Sequence, residues 1–136
     1  MKTNSLKKTL LFVALLCSSL QVLGVEPQEP PAPCAELKQA AARLQDVYTQ
    51  LLAKYKSDVG FIRKLRKSQQ TWTAYRTAQV EMLFPHGPGP EYGTVYSDCN
   101  CSSLAGLTKE RIKILEQWLT GIELGDVCTG SRPTKN

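Results

Sequence analysis

A long helical repeat in residues 59–83 limits this chain to a helical fold. The stretch contains no proline, and a mostly apolar set of side chains recurs every three or four residues. This spacing puts the recurring side chains on one face of a helix, whereas a strand would alternate them every second residue. The recurring positions are Phe61, Leu65, Ser68, Trp72, Tyr75, Gln79 and Met82. The stretch is therefore predicted to form one long helix.

The centre of this helix carries a polar and aromatic block instead of a plain aliphatic stripe. Helix spacing places Gln69, Trp72 and Arg76 near one face, with Tyr75 beside them. One interpretation is core packing, in which Arg76 holds backbone carbonyls of a loop or a carboxylate. The other is a groove that faces a ligand. We treat Gln69, Trp72 and Tyr75 as structural and Arg76 as a candidate binding residue.

Two further helices are predicted, over residues 35–56 and 103–120. The apolar face of the first is formed by Leu37, Ala41, Leu44, Tyr48, Leu51 and Tyr55. That of the third is formed by Leu107, Arg111, Leu115 (or Ile114), Trp118 and Ile122, and Arg111 is assigned a structural role. Asp58 is a candidate N-cap, and Gly121 a candidate C-cap. Because the first link is very short, the first two helices are expected to form a long antiparallel hairpin, with a shorter third helix.

Residues 84–98 interrupt the helical pattern with three prolines and three glycines, which exclude regular structure. Loops of this length in small domains are usually functional or disordered. Tyr92, Val95 and Tyr96 offer apolar anchors, so we expect an ordered loop that lies across the hairpin.

The tip of this loop carries His86 and Glu91. An imidazole on a proline-stiffened loop could enter an acidic enzyme cleft, because prolines lower the ordering cost of binding. The alternative is a pair of solvated turn residues. We name His86, Glu91, Tyr92 and Arg76 as binding candidates. No catalytic residue is assigned, since one histidine without a nucleophile signature makes no catalytic triad.

The first 24 residues have the features of a signal peptide. A basic start precedes a short apolar run, and cleavage is predicted after Gly24. The run is too short for an ordinary transmembrane helix. Cys17 follows Leu16, where a lipobox requires a small residue, so lipidation is not expected. We predict a periplasmic or secreted protein, tethered through a stiff proline-rich linker at residues 25–33.

The charge of the chain is modest once the signal is removed. The whole sequence carries 17 Lys and Arg, and three lysines lie in the signal, which leaves 14 against 12 acidic residues and a net charge of +2. This charge does not predict a nucleic-acid partner. One basic cluster stands out: Arg63, Lys64, Arg66 and Lys67. It is either a solvated helix face or a contact surface for anionic lipid or wall polymer.

Four cysteines remain after the signal: Cys34, Cys99, Cys101 and Cys128. In an exported small domain they predict two disulfides. Cys34 would pair with Cys99 or Cys101, and Cys128 with the other. A four-thiolate zinc site is disfavoured in an oxidising compartment, and no metal or cofactor is predicted. Residues 34–128 form the predicted domain, and residues 129–136 a disordered tail.

These motifs resemble the LprI-type lysozyme-inhibitor family, a domain formerly of unknown function. The resemblance rests on Gln69-x-x-Trp72-x-x-Tyr75-Arg76 followed by Thr108-x-x-Arg111-x-x-x-Leu115, with a cysteine before the first helix. The family often has a cysteine shortly after the Tyr-Arg pair. This chain has Thr77, Ala78, Gln79 and Val80 there, so Cys99 and Cys128 are candidates for a replacement.

The resemblance implies an exported, non-enzymatic helical domain with a protein partner, a lysozyme for some members. The leading hypothesis is inhibition of a wall hydrolase by steric blocking of its cleft through the 84–98 loop. The alternative is a structural or adaptor domain of the bacterial envelope that binds wall, lipid or a partner protein through its basic face. Common lysozymes are basic, so an inhibitor would have to approach with another face.

Overall fold

A computed structural model describes residues 32–123, 125 and 127–135, which form a three-helix domain. The helices are α1 (Pro33–Lys54), α2 (Val59–Leu83) and α3 (Tyr96–Thr120). The predicted all-α class with three helices is confirmed. No helix within the described residues is long and apolar enough to cross a membrane. The predicted signal peptide and most of the predicted linker lie outside the described residues.

Local signals explain the ends of the first two helices. Pro33 occupies the first turn of α1, where its missing N–H costs nothing, so the helix begins slightly earlier than predicted. Asp58 caps α2, and its Oδ1 accepts a hydrogen bond from the backbone N–H of Phe61 at 2.8 Å. Pro85 lies just beyond α2 and cannot continue it.

Paired side chains show the relative directions of the helices. Cys34 is bonded to Cys101 near the starts of α1 and α3, and Lys54 donates to the carbonyl oxygens of Trp118 and Leu119 near their ends. Thus α1 and α3 run parallel. Conversely, Phe61 near the start of α2 packs against Trp118 near the end of α3. Hence α2 runs antiparallel to both.

The most extensive helix contact is between α1 and α3, and the backbones of α1 and α2 approach each other at few points. The predicted direction of the α1–α2 hairpin is present, but α1 and α2 are not the closest pair. Ala40 and Ala105 are buried on α1 and α3, and such small side chains let two backbones approach closely. The third helix is also longer than predicted, at 25 residues against 22 in α1.

The core lies between α1 and α3, with α2 adding Leu65 from one side. Its buried members are Ala40, Leu44, Val47, Leu51, Leu65, Ile112 and Leu115. Val47 and Leu51 are 0% exposed, although Val47 was absent from the predicted apolar face. Two predicted members of the α2 face, Tyr75 and Met82, are instead exposed.

One disulfide, Cys34–Cys101, is described, and it is one of the two pairings left open for Cys34. The predicted disulfide of Cys99 is wrong, because Cys99 is an exposed free thiol. Cys128 lies beside Thr129, whose carbonyl oxygen accepts from Arg132, and Arg132 also donates to Gln117 on α3. Cys99 is 18 residues from Gln117 on that helix, about 27 Å at 1.5 Å per residue. A disulfide requires Cα atoms within about 7 Å, so this fold excludes a Cys99–Cys128 bond.

The segment after α3 folds back on its end. The N–H of Ile122 donates to the carbonyl of Pro133, and the N–H of Lys135 returns to the carbonyl of Ile122, each at 2.9 Å. Gly121 ends α3 with φ 82°, and a Cβ there would lie 2.9 Å from the Lys135 nitrogen. Only glycine fits this crossing. Residues 133 and 135, in the tail predicted to be disordered, thus make backbone hydrogen bonds to Ile122.

Candidate functional site

Two guanidinium groups lie over the ring of Trp72 at the interface of α2 and α3. The carbon at the centre of the Arg76 guanidinium is 5.1 Å from the ring centre, and that of Arg111 is 5.8 Å away. Both distances are within cation–π range. The half-buried indole thus packs against the core and holds a cation from each helix.

Arg111 is buried, and its guanidinium donates hydrogen bonds to neutral side chains. Its Nε donates to Oε1 of Gln69 at 3.1 Å, and its Nη2 donates to Oγ of Ser68 at 2.9 Å. Burial lowers the pKa of Arg111 from its ordinary value, because desolvation disfavours the charged form. Arginine nevertheless keeps its proton at physiological pH. Arg111 therefore brings a positive charge into the interior.

Arg76 reaches α3 through Thr108. Its Nη1 donates to Oγ1 of Thr108 at 3.1 Å, and that hydroxyl donates to the carbonyl of Leu104 at 2.7 Å. The expected partner, a loop carbonyl or a carboxylate, is therefore replaced by a fully buried threonine. The buried Nε of Arg76 has no hydrogen-bond partner among the described residues. A buried N–H is normally hydrogen-bonded, and leaving it without an acceptor costs about 1–3 kcal/mol.

No carboxylate neutralises either arginine in the part of the chain that the structure describes. The described acidic side chains in ion pairs bind Arg43, His86, Lys109, Lys113 or Lys135. The Trp72 site therefore carries two positive charges supported only by hydroxyl, amide and aromatic groups. Such an arrangement favours an anionic partner.

A cleft of about 800 Å³ opens beside Arg76, between the end of α2, the loop and the start of α3. Its lining includes Arg76, Val80, Phe84, His86, Asn100 and Leu104. Glu81 also lines it and gives it one negative charge. Two of the predicted binding residues, Arg76 and His86, thus face the same cleft.

The loop beside this cleft is held by an aromatic cluster. The ring of Phe84 lies 5.4 Å from that of Tyr92 and 5.5 Å from that of Tyr96, both edge-on. A 3-10 helix over Gly93–Val95 leads directly into α3, which Tyr96 opens. The irregular segment is therefore shorter than predicted, and regular structure was wrongly excluded from its last residues. Val95 is exposed and does not anchor it. The predicted anchoring by Tyr92 and Tyr96 agrees with these contacts.

His86 and Glu91 stand at the exposed surface of the loop. Nε2 of His86 lies 3.9 Å from Oε1 of Glu91, and both side chains are exposed. The structure therefore brings this pair together, next to the cleft that Arg76 lines. It places Tyr92 in the aromatic cluster, half-buried.

The basic cluster lies on the first half of α2, away from this cleft. All four of its side chains are exposed, and none forms an ion pair within the described ranges. Lys64 faces the groove between α2 and α3, whereas Arg66 faces the groove between α1 and α2. The cluster is therefore not one continuous face.

Residues 32–115 match the family model described as Lysozyme inhibitor LprI, which covers more than half of the chain. The chain belongs to the LprI lysozyme-inhibitor family. Comparison with curated proteins and with solved structures found no match. The family motifs now have a physical meaning, because Gln69, Trp72, Arg76, Thr108 and Arg111 form one connected network.

Two members of the LprI motifs differ from their predicted roles. Tyr75 was predicted to be structural, but it is 50% exposed, and no hydrogen bond or cation–π contact described for the network includes it. Thr108 was named only as part of a family motif, yet it lies mid-helix and accepts a hydrogen bond from Arg76. The spacing Thr108-x-x-Arg111 could have indicated that Thr108 faces α2 together with Arg111, since residues three apart share a helix face. Ser68 was placed on the apolar face, but no sequence signal marked it as the partner of Arg111.

Proposed function

We propose that this LprI-family chain is an exported protein that inhibits a lysozyme-type wall hydrolase by blocking its cleft. The blocking element is the 84–95 loop with the Arg76 cleft beside it. The observation that carries this proposal is an ordered, proline-stiffened loop next to an uncompensated cation, in a family of lysozyme inhibitors. A binding role, with no catalytic role, fits the same features.

The chemistry of the target suits these residues. Glycoside hydrolases usually hold a pair of carboxyl groups around the scissile bond. His86 on the loop and Arg76 in the cleft can donate charge-assisted hydrogen bonds to carboxylates. The loop is already ordered by Phe84, Tyr92 and Tyr96, so binding loses little conformational entropy.

The basic cluster does not prevent this approach. Lys67 lies 16 residues before Leu83 on one continuous helix, about 24 Å from the loop end of α2. The Debye length at physiological salt is about 8 Å. Repulsion between the cluster and a basic enzyme is therefore largely screened when the loop end makes the contact.

Inhibition should be tested with the oxidised mature protein against a panel of lysozyme classes. We expect one class to be inhibited at a fixed stoichiometry. The His86→Ala/Glu91→Ala double variant should weaken inhibition at least about tenfold, since it removes two polar contacts near the centre of the interface. Its melting temperature should stay unchanged, because both side chains are exposed.

Val59→Ala is the matched control, because Val59 is exposed at the opposite end of α2. It should inhibit like the unmodified protein. Unchanged inhibition by the His86/Glu91 variant would contradict the role of the loop. Absence of inhibition in every class would contradict the proposed function altogether.

Absence of inhibition in every lysozyme class would favour the envelope adaptor. The supporting feature for that function is the exposed basic cluster, which forms no ion pair within the described residues: Arg63, Lys64, Arg66 and Lys67. Binding to wall polymer or anionic lipid through exposed cations should vanish at high salt. Inhibition by cleft blocking would persist at high salt to a greater extent. Sedimentation with purified wall or vesicles at two salt concentrations separates the two functions.

A further inference from the structure

The groove between α2 and α3, which Lys64 faces, lies along the first half of α2 and the last half of α3 and has a volume of about 280 Å³. Its floor is Leu65 and Leu115, which are 6% and 2% exposed. Phe61 and Trp118 close one end, with ring centres 4.9 Å apart. The half-exposed Ile114 forms its outer rim. These side chains present an apolar trough to solvent.

The other end of this groove is cationic. Arg111 and Ser68 line that end, Lys64 lines the groove one turn further along α2 beside Leu65, and the groove has no acidic lining residue. Lys64 forms no ion pair within the described residues, and Arg111 is met only by Gln69, Ser68 and the Trp72 ring. A buried cation without a counter-ion is costly, so an anion at this end would be stabilised.

We propose that this groove binds an acyl chain with an anionic headgroup. The headgroup would lie at Arg111, with the Lys64 side chain extending to it from one turn away on α2, and the tail would run over Leu65 and Leu115 towards Trp118. This site lies about 24 Å along α2 from the loop, counted from Ser68 to Phe84, so the proposal does not rest on lysozyme inhibition.

The dimensions of the groove select this occupant. Arg111 and Trp118 are seven residues apart on α3, about 10 Å along the axis. At about 1.25 Å of advance per C–C bond, from a bond length of about 1.5 Å, this length holds about eight carbons. The groove is small and open to solvent on one side, and its recessed floor suits a single chain better than a flat membrane surface.

The probe is octanoate carrying bromine on its terminal carbon, because bromine quenches nearby indole fluorescence. We expect one-to-one binding by calorimetry, with quenching of Trp118. The Trp118→Phe protein, which retains Trp72, should lose most of the quenching while calorimetry still detects binding. Octanol and octyltrimethylammonium should bind at least about tenfold more weakly, since neither supplies an anion.

Two pairs of matched variants place the ligand. Lys64→Ala should weaken octanoate binding about fivefold, and Lys67→Ala, with the same loss of charge outside the groove, should not. Ile114→Glu should weaken it at least about tenfold, whereas Val59→Glu, on an exposed site outside the groove, should not.

Three results would overturn the proposal. Equal losses in Lys64→Ala and Lys67→Ala would show diffuse charge attraction. Equal affinity for octanol and octanoate would show an unselective apolar site. Binding to anionic vesicles without binding of free octanoate would assign the surface to a membrane instead of a single chain.

Discussion

Loss of the Cys34–Cys101 disulfide should lower the free energy of unfolding by about 4 kcal/mol. The bond joins cysteines 67 residues apart, and closing a loop of that size removes much entropy from the unfolded chain. The Cys34→Ser/Cys101→Ser variant should therefore melt on the order of 20 °C lower. Calorimetry and urea unfolding measure both quantities.

Cys99→Ser is the control for this variant. Cys99 is a free and exposed thiol, so its replacement should leave the melting temperature unchanged within about 2 °C. A large destabilisation by Cys99→Ser, or none by the double variant, would show that Cys34 has another partner in solution. Intact mass before and after reduction identifies that bond.

Trp72→Ala should be the most destabilising single change in the polar network, at about 3 kcal/mol. The change opens a cavity beside the core, and it leaves Arg76 and Arg111 without the ring that both guanidiniums contact. Urea unfolding followed by Trp118 fluorescence gives the free energy directly. Trp72→Phe should retain part of the stability, because it keeps an aromatic face for the two guanidiniums.

Tyr75→Ala provides the comparison, since it truncates an aromatic three residues further along the same helix. Tyr75 is 50% exposed, and its loss should cost about 0.5 kcal/mol. Equal costs for Trp72→Ala and Tyr75→Ala would mean that the indole does not hold α2 against α3. The family motif would then need another explanation.

Local signals in the sequence were enough for α2. Asp58 caps its start and Pro85 prevents its continuation, and both act within a few residues. The start of α3 was missed because distant contacts determine it. Tyr96 packs on Phe84 and Tyr92, and Cys101 is tied to Cys34, which together outweigh the poor helix propensity of the residues between them.

The choice of the closest helix pair also depended on tertiary packing. The short link after α1 suggested that α1 and α2 would form the main contact. Ala40 and Ala105 instead let α1 and α3 approach, whereas α2 presents the large side chains of Trp72 and Arg76. For the candidate site, the sequence placed Gln69, Trp72 and Arg76 on one face. The sequence could not show which neutral groups would accept hydrogen bonds from the two arginines.

The position of the Cys34–Cys101 disulfide has a consequence for what proteolysis does to the domain. Cys34 precedes both α2 and the loop at residues 84–95, and Cys101 follows them. A protease that cuts this loop would therefore produce two fragments that stay covalently joined. Such a nicked molecule should run as one species without reductant and as two with it, and it should keep α1 and α3 side by side.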